Sequence, residues 1–477
     1  MNDLREQLRQ LDKEQLIDII LELRETVAKL TMRVQQLEDQ LSKHSGNSSK
    51  PPSSDGLKKK PSPKSLRESG KRSSGGQAGH KGKTLEAVAA PDEVVRHRVE
   101  VCPVCQHDLR NSPIEAVVKR QVFEVPPLRL RVTEHQAESK WCEKCQQQVK
   151  AAFPRGVQQP TQYGAAFKGM LVYLNVYQLL PLKRVAELVQ DWFGQRVSEG
   201  TLDRALRQTA QAVEPVVEAV ERLLVHSPVA HADETGVRVA GKLHWLHVLS
   251  NGHLTRYGVH PKRGHVALDA LDLLPHFTGT LVHDGWSAYA AYSQCGHALC
   301  NAHLLRELTF LHEQYQQTWA ASFKALLIEA KAVVTQARQE GQTVLDTALL
   351  DAFNRRYRTL VDAGFAANPP PETVPGKRRI AESPPRQLLK RLHRDVHAVL
   401  AFLHDLHIPF DNNLAERDLR MMKVKQKISG CFRTLEGASR FATLRSYLST
   451  ARKHGLSMLT ALTDALHGDP FFPQPTP

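Results

Sequence analysis

The sequence predicts a multidomain, mostly helical chain with one α/β unit. Its 477 residues are too many for one ordinary hydrophobic core, so about three domains are expected. Helix-like periodicity dominates most of the chain, but residues 229–299 include stretches that alternate between apolar and polar positions, as strands do. Hydrophobic residues make up 41% of the sequence, which excludes a wholly disordered protein.

The chain carries a large excess of positive charge. It has 64 Lys and Arg against 50 Asp and Glu, a net charge of +14 that favours a polyanionic partner, with nucleic acid the first choice. No apolar run reaches the roughly 18 residues of a membrane-spanning helix, and the N-terminus has no signal-peptide stretch. The seven cysteines include two CxxC pairs, which suit a metal site in a reducing cytosol better than disulfides. We therefore expect a cytoplasmic protein without membrane contact.

Residues 1–43 predict an N-terminal coiled coil. Residues 4–42 contain no Pro or Gly and predict one helix, and two apolar series repeat every seven positions: Leu16, Leu23, Leu30 and Leu37 in one, and Ile20, Val27, Val34 and Leu41 in the other. Mainly β-branched residues at a with Leu at d favour a parallel two-stranded coiled coil, and hence self-association. The alternative is an amphipathic helix that lies on its own protein.

Residues 44–84 predict a basic, disordered linker. Ten Lys and Arg face two acidic residues between His44 and Lys83, among Ser, Gly and Pro, and no apolar periodicity survives. Such a segment is a solvated spacer, and it can also contact phosphates without base specificity.

Residues 85–157 predict a small β domain built around structural Zn²⁺. The pairs Cys102–Cys105 and Cys142–Cys145 are separated by 36 residues, and two CxxC turns offer four thiolates to one tetrahedral ion. The alternating segment between them, around Pro126 and Pro127, predicts a β-hairpin that brings the pairs together. Unpaired core cysteines or a redox pair are the alternatives. Cys295, Cys300 and Cys431 are interpreted as ordinary thiols.

Residues 160–212 predict a helix-turn-helix-like region. One helix is expected from about Leu182 to Trp192, and a second begins at Ser198, a good N-cap. Three residues of the second helix would lie on an exposed face and contact DNA: Thr201, Arg204 and Arg207. The alternative is a helix pair of the kind found in any helical domain.

Residues 213–312 predict the first part of a ribonuclease-H-like core. Three hairpin strands are expected at 229–239, 243–251 and 253–261, then a helix at 265–274, a strand at 279–289 and a strand that passes into a helix at 297–311. This order of elements is the order of a ribonuclease-H-like sheet. A helical insertion is expected at 313–405, the core resumes at 406–430, and 431–477 form a helical tail that ends in disordered Pro-rich residues.

Three carboxylates predict a divalent metal site. Asp233 falls inside the first apolar strand and Asp284 at the end of the fourth, while Glu416 lies in the first turns of the helix at 406–430. A carboxylate inside an apolar strand is costly unless it is paired or binds a metal. Together the three could hold two Mg²⁺, or Mn²⁺, for phosphodiester transfer. A stripe of basic residues continues outward from Glu416 and would approach DNA: Arg420, Lys423 and Lys427. For each carboxylate alone, a surface or capping role is the simpler interpretation.

The ordered motifs resemble those of the insertion sequence 66 family of bacterial DDE transposases. They are GGQAGHKG at 75–82, the CPVC and CEKC pairs, SEGTL at 198–202, ADETG at 232–236, HDGWSAY at 283–289, CNAH at 300–303 and NNLAERDLR at 412–420. The resemblance implies that Asp233, Asp284 and Glu416 are the catalytic triad and that Lys423 contacts the transposon end. It places His303 beside the active site. The Tyr and Arg of the wider DDE group are absent, and Pro409 and Asn412 stand at those positions.

The resulting hypothesis is a transposase of a mobile element, associated with the bacterial nucleoid, that cuts and rejoins DNA at element ends and target sites. The resemblance also implies accessory proteins of the same element. Two alternatives remain: a non-catalytic zinc and helix-turn-helix DNA-binding regulator, and a metal-dependent nuclease or resolvase that cleaves DNA without joining it.

Overall fold

A computed structural model describes residues 11–43, 47, 84–154, 156–371 and 382–475. The predicted linker therefore lies outside the described residues, apart from Asn47 and Thr84. The chain divides into two compact units. The described part of the smaller unit consists of residues 84–134 and 189–195, and the remaining described residues belong to the larger one.

The N-terminal segment forms one long helix, α1 (Lys13–Ser42). The prediction placed Leu11 and Asp12 inside this helix, which is wrong, because Asp12 caps it. The Asp12 carboxylate accepts from the backbone N–H of Gln15 at 2.8 Å, and the Gln15 side chain accepts from Asp12 N in return. The heptad side chains are exposed along the helix apart from the half-buried Leu16, and Leu30 is exposed by 60%, while Tyr315 donates a hydrogen bond to Asp39 near the end of the helix.

Each cysteine pair forms a tight turn. Cys102 N donates to His107 O, and Gln106 N donates to Cys102 O, both at 2.9 Å. The second pair lies on a short antiparallel hairpin of strands β1 (Ser139–Cys142) and β2 (Gln147–Lys150). The hairpin predicted between the pairs is wrong, since residues 113–138, all described, contain no strand. Pro126 and Pro127 offer no N–H donors to a ladder there, and the apolar residues around them stay exposed, Val132 by 90%.

The helical region before the sheet comprises α2 (Ala165–Val172), a π-helical turn (Tyr173–Tyr177), α3 (Leu182–Phe193) and α4 (Glu199–Val225). The predicted start of the second helix is confirmed, because Ser198 is its N-cap and accepts from Thr201 N at 3.1 Å. Helix α4 extends well beyond residue 212.

A five-stranded mixed sheet forms the centre of the larger unit. Its strands are β3 (Val229–Val239), β4 (Lys242–Ser250), β5 (Thr255–His260), β6 (Thr280–His283) and β7 (Gly296–Leu299), in the order β5-β4-β3-β6-β7. Strands β3, β4 and β5 are antiparallel neighbours, and β3, β6 and β7 run parallel. Helix α5 (His265–Ala270) lies between β5 and β6 in the chain. The predicted strands are all present, with shorter β6 and β7.

Alternation along the strands assigns side chains to two buried faces. Val237, Leu246 and Tyr257 share a core with α11 (Asn413–Ser429), α12 (Leu435–Lys453) and α13 (Met458–His467). Ala230 and Leu249 belong to a second core with Leu268 and Tyr289. Because the period of a strand is two residues, Asp233 shares the face of Val237, and Glu234 shares that of Ala230.

The predicted insertion is helical. After α6 (Asn301–Tyr315) come α7 (Thr318–Gln339), α8 (Thr347–Ala367), α9 (Pro384–Arg394) and α10 (Val396–His404), which share one core. The predicted C-terminal tail instead belongs to the core of the sheet. Tyr447 and Leu448 of α12 are fully buried, and Ser446 and Thr450 accept backbone N–H groups of β5. No described helix combines the length and apolarity needed to cross a membrane.

Candidate active site

Asp233 and Asp284 lie on neighbouring parallel strands at the same end of the sheet. The pairing of β3 with β6 runs from Val229–Thr280 to His231–Val282. Each Asp therefore lies two residues beyond the last paired residues, Asp233 within β3 and Asp284 directly after β6. Asp284 Oδ1 accepts from Trp286 N at 2.9 Å, and Asp233 Oδ1 accepts from Glu234 N at 2.8 Å. The two aspartates predicted from sequence are thus brought together by strand register.

Glu416 lies in the first turn of α11, close enough to Asp233 for its charge to act on that residue. The N-cap Asn412 is buried, and its side chain does not cap the helix. Instead, Asn412 Nδ2 donates to Ala232 O at 2.8 Å, and its Oδ1 lies 2.8 Å from His231 Nδ1. The first turn of α11 is therefore attached to the strand residue that precedes Asp233. Gln426, at the other end of the helix, donates to Gly236 O at 2.9 Å.

The electrostatics of Asp233 reflect a crowded set of carboxylates. Burial raises the pKa of Asp233 to about 8, and the negative charges of Glu234, Asp284 and Glu416 contribute in that order, against one backbone hydrogen bond that lowers it. A site that holds several carboxylates at this cost favours a bound cation. Glu416 Oε1 is buried and has no hydrogen-bond partner among the described residues, so one oxygen of the set is left free to bind an ion.

Glu234 belongs to the site, and sequence reasoning missed it. Its side chain is only 2% exposed, it accepts from Arg263 Nε at 2.8 Å, and it accepts from Tyr289 OH at 2.6 Å. The Arg263 guanidinium lies 4.9 Å from the ring centre of Trp245 and 4.3 Å from that of Trp286. Burial raises the pKa of Glu234, and the Tyr289 and Arg263 hydrogen bonds oppose the rise. The only sequence signal was a second acid beside Asp233.

A second cluster shares Glu416. Ligand atoms of Cys300, His303 and Glu416 lie within 4.8 Å of one another, and His303 Nε2 lies 3.7 Å from Glu416 Oε1. Cys300 is the N-cap of α6, and its sulfur accepts from Asn412 N at 3.1 Å. The placement of His303 beside Glu416 agrees with the expectation for it. Cys300, interpreted from sequence as an ordinary thiol, is part of the same group.

The basic residues predicted to contact DNA are largely exposed. Arg420, Lys423 and Lys427 lie exposed on α11, and the negative charge of Asp233 acts on Lys423, whose pKa burial lowers. On α4, Arg204 and Arg207 are exposed, and Arg207 pairs with Asp203 at 3.0 Å. Thr201 is half-buried, and its hydroxyl lies 3.0 Å from Ser198 Oγ within the helix cap.

The cysteine turns are prepared for thiolate chemistry. Backbone hydrogen bonds, that of Cys105 first and then that of Val104, lower the pKa of Cys102. The backbone hydrogen bond of Cys145 lowers the pKa of Cys142 in the same way. Thiolates are the form that binds zinc, so each turn suits half of a four-cysteine site.

Comparison with known protein families defines the class of the chain. The profile of the Transposase IS66 family matches residues 160–440, more than half of the chain, a range that contains Asp233, Asp284 and Glu416. The zinc-finger binding domain of transposase IS66 matches residues 91–146, with both cysteine pairs. A family of unknown function matches residues 1–86.

The chain is thus a transposase with a zinc-finger domain, and it belongs to the IS66 family. A search of curated proteins finds no match.

Proposed function

We propose that this transposase cleaves and joins DNA at the ends of its element with a DDE triad formed by Asp233, Asp284 and Glu416. The observation that carries the proposal is the arrangement of the three carboxylates. Two come from adjacent parallel strands, and the third from a helix attached to the residue before Asp233. Burial is the main cause of the raised pKa of Asp233, and the negative charges of Glu234, Asp284 and Glu416 add to it. The strand order β5-β4-β3-β6-β7, and the helical insertion that separates β7 from α11 in the chain, support a ribonuclease-H-like core.

The donor set fits divalent cations that prefer oxygen ligands. Asp233, Asp284 and Glu416 would hold two Mg²⁺, or Mn²⁺, through carboxylate oxygens, and the free Glu416 Oε1 is one such ligand. When bound, such ions activate the attacking hydroxyl and stabilise the leaving oxygen in phosphodiester transfer. The protein itself orders the ligands: Trp286 N holds Asp284, and Asn412 holds the start of α11. Arg263 neutralises Glu234, so that this fourth carboxylate does not compete for the ions.

Positive charge beside the carboxylates provides the approach for DNA. We assign Arg420, Lys423 and Lys427 to contacts with phosphates, because they are exposed on the same helix as Glu416. Arg204, Arg207 and Thr201 belong to a second surface at the start of α4, in the helix-turn-helix-like region. Arg204 is exposed, Arg207 is exposed but pairs with Asp203, and Thr201 is partly committed to the helix cap.

We assign the N-terminal regions to recognition of the element ends and to assembly of two copies of the chain. Cys102, Cys105, Cys142 and Cys145 would bind one structural Zn²⁺, which the lowered pKa values of Cys102 and Cys142 favour. The exposed heptad residues of α1 would join two copies in a parallel coiled coil. The chain would then act on element ends and target DNA at the bacterial nucleoid, together with accessory proteins of the same element.

The test uses purified full-length protein and duplex DNA that carries the terminal sequences of the encoding element with pre-cut 3′-hydroxyl ends. In Mg²⁺, joined products are expected from the wild type. Asp233→Asn, Asp284→Asn and Glu416→Gln should each abolish joining, whereas Asp351→Asn, an exposed carboxylate in α8, should not. Binding without any cleavage or joining would favour the regulator, and cleavage of intact ends without joining would favour the nuclease or resolvase.

A further inference from the structure

We propose that Cys300, His303 and Glu416 form a binding site for Zn²⁺ or a similar transition-metal ion, and that its occupancy inhibits the enzyme. This site is separate from the cysteine turns, and it uses a different donor set from the three carboxylates. Only its inhibitory consequence rests on the proposed function, because that consequence needs Glu416 to serve catalysis.

Two helix starts build the site. Cys300 caps α6 and His303 lies in its first turn, while Glu416 lies in the first turn of α11. The two starts are joined directly, because Asn412 N donates to Cys300 Sγ at 3.1 Å and Asn301 N donates to Phe410 O at 3.0 Å. The three side chains therefore face one another from backbone segments that are fixed in place.

The ligand atoms are close and available. A sulfur, an imidazole nitrogen and a carboxylate oxygen lie within 4.8 Å of one another, and the nitrogen-to-oxygen distance from His303 Nε2 to Glu416 Oε1 is 3.7 Å. That distance suits two ligands of one tetrahedral ion, with metal–ligand bonds of about 2.0–2.2 Å. Glu416 Oε1, one of these ligand atoms, is buried and lacks a hydrogen-bond partner among the residues that the structure describes. A buried polar atom without a partner is costly, and a metal would satisfy it.

The chemistry of the donors selects the kind of ion. Mg²⁺ prefers oxygen ligands, whereas a thiolate with an imidazole and one carboxylate suits Zn²⁺, Co²⁺ or Cd²⁺. Binding replaces the proton of the Cys300 thiol, which passes to the solvent, and no electron is transferred. Burial raises the pKa of the Cys300 thiol to about 12 and the backbone N–H of Asn412 opposes the rise, so the bound ion itself has to displace the proton.

Inhibition follows from the shared ligand. Glu416 Oε1 faces His303, and the same carboxylate is the proposed third ligand of the Mg²⁺ pair. An ion held by Cys300 and His303 would bind this oxygen and withdraw it from the pair. Zn²⁺ would therefore compete with Mg²⁺ even though the carboxylates of Asp233 and Asp284 remain unchanged.

The first experiment does not need DNA. Co²⁺ is added to the full-length protein after its cysteine turns have been loaded with Zn²⁺, and the thiolate-to-cobalt absorption is recorded. A saturable band is expected in the wild type and in Cys295→Ser, a matched buried thiol in the same unit. The band should be lost in Cys300→Ser, and Co²⁺ affinity should fall by about 10- to 100-fold in His303→Gln. Any cobalt in the cysteine turns would contribute equally to all four proteins.

A band of equal strength in Cys300→Ser and the wild type would overturn the site, as would a wild type without any band beyond that of the turns. Circular dichroism checks that each variant is folded, and His303→Gln provides the second variant should Cys300→Ser unfold.

In a second experiment, Zn²⁺ is titrated into the Mg²⁺-dependent joining reaction. The half-inhibiting Zn²⁺ concentration should rise about tenfold or more in His303→Gln, but not in Cys295→Ser. An equal concentration in both variants would overturn the inhibitory role alone.

Discussion

Asn412 donates its side-chain amide to the carbonyl oxygen of Ala232 at 2.8 Å, across 180 positions of the sequence. Ala232 immediately precedes Asp233, and Asn412 is the cap of the helix that carries Glu416. One buried side chain therefore sets the position of the third carboxylate relative to the first. Asp233 and Glu416 are far apart in the sequence, and this hydrogen bond helps to hold them close in the folded protein.

Replacing Asn412 should damage the reaction without removing a carboxylate. Asn412→Ala loses the bonds to Ala232 and His231 and leaves buried polar groups unpaired, at about 1–3 kcal/mol each. Misplacement of Glu416 should lower the joining rate by about 10- to 100-fold. Asn413→Ala, at the neighbouring exposed position, is the matched control. Equal rates in the two variants, measured at saturating Mg²⁺, would mean that Asn412 does not position Glu416.

The raised pKa of Asp233 predicts a pH-dependent stability difference. The pKa of Asp233 is about 8 in the folded state and 3.8 in the unfolded chain, so the folded state holds the proton more tightly. The resulting stability is fully present below pH about 3.8 and is lost as the pH rises through about 8. Asp233→Asn escapes the loss, so its melting temperature relative to wild type should rise between pH 5 and pH 8.

The melting experiment uses buffer without Mg²⁺ and without a chelator, since a chelator would also remove structural zinc. The gain of Asp233→Asn at pH 8 should correspond to about 2 kcal/mol or more, and Asp351→Asn should show none. Added Mg²⁺ should stabilise the wild type at pH 8 but not Asp233→Asn. A constant difference between the two proteins from pH 5 to pH 8 would contradict the raised pKa of the buried Asp233.

Arg263 should be needed to keep Glu234 buried. Arg263→Gln removes the cationic partner of that carboxylate, whose side chain is only 2% exposed, and leaves it the neutral Tyr289 hydroxyl as a donor, so about 1–3 kcal/mol of stability should be lost. Arg356→Gln breaks an exposed pair with Glu329 and should cost less than about 1 kcal/mol. Adding Glu234→Gln to Arg263→Gln should recover part of the loss, as urea denaturation would measure. Additive effects of the two substitutions would show that the pair is not coupled.

The heptad face of α1 should hold two copies together. Leu30 is 60% exposed in the single chain and occupies a d position, so Leu30→Lys would place two charges in the seam of a coiled coil. Its mass in solution, measured by light scattering, should fall from dimer towards monomer. Ala28→Lys lies on the outer side of the heptad and should leave the mass unchanged. A Leu30→Lys variant with the wild-type mass would favour the helix as a surface element of its own chain.

The sequence was informative wherever a local pattern decides the structure. Alternation located β3 from residue 229 to residue 239 as observed, and the Ser198 cap marked the start of α4 correctly. Asp233 was found because a charged residue inside an apolar strand is unusual, and the motifs that resemble the IS66 family added Asp284 and Glu416 to it. The same reasoning failed between the cysteine pairs, where alternation around two prolines suggested strands that have no core to pack against.

Contacts between distant segments could not be predicted in this way. Nothing local marks Arg263 as the partner of Glu234, or Cys300 as a neighbour of Glu416, since these pairs depend on how whole elements pack. The C-terminal helix α12 was interpreted as a tail for the same reason. Its apolar side chains share a core with the sheet, and Ser446 and Thr450 accept the backbone N–H groups of β5, a long-range contact that no periodicity reveals.

The most direct test of the account is a crystal of the full-length protein soaked in Mn²⁺ and measured for anomalous scattering. Manganese is expected between Asp233 and Asp284, with Glu416 bound to the same pair of ions at about 2.0–2.2 Å, the range expected for octahedral oxygen coordination. Glu416→Gln should weaken the signal, and Asp351→Asn should not. Manganese bound elsewhere, or the three carboxylates fully ordered at high Mn²⁺ without a shared ion, would contradict the proposed active site.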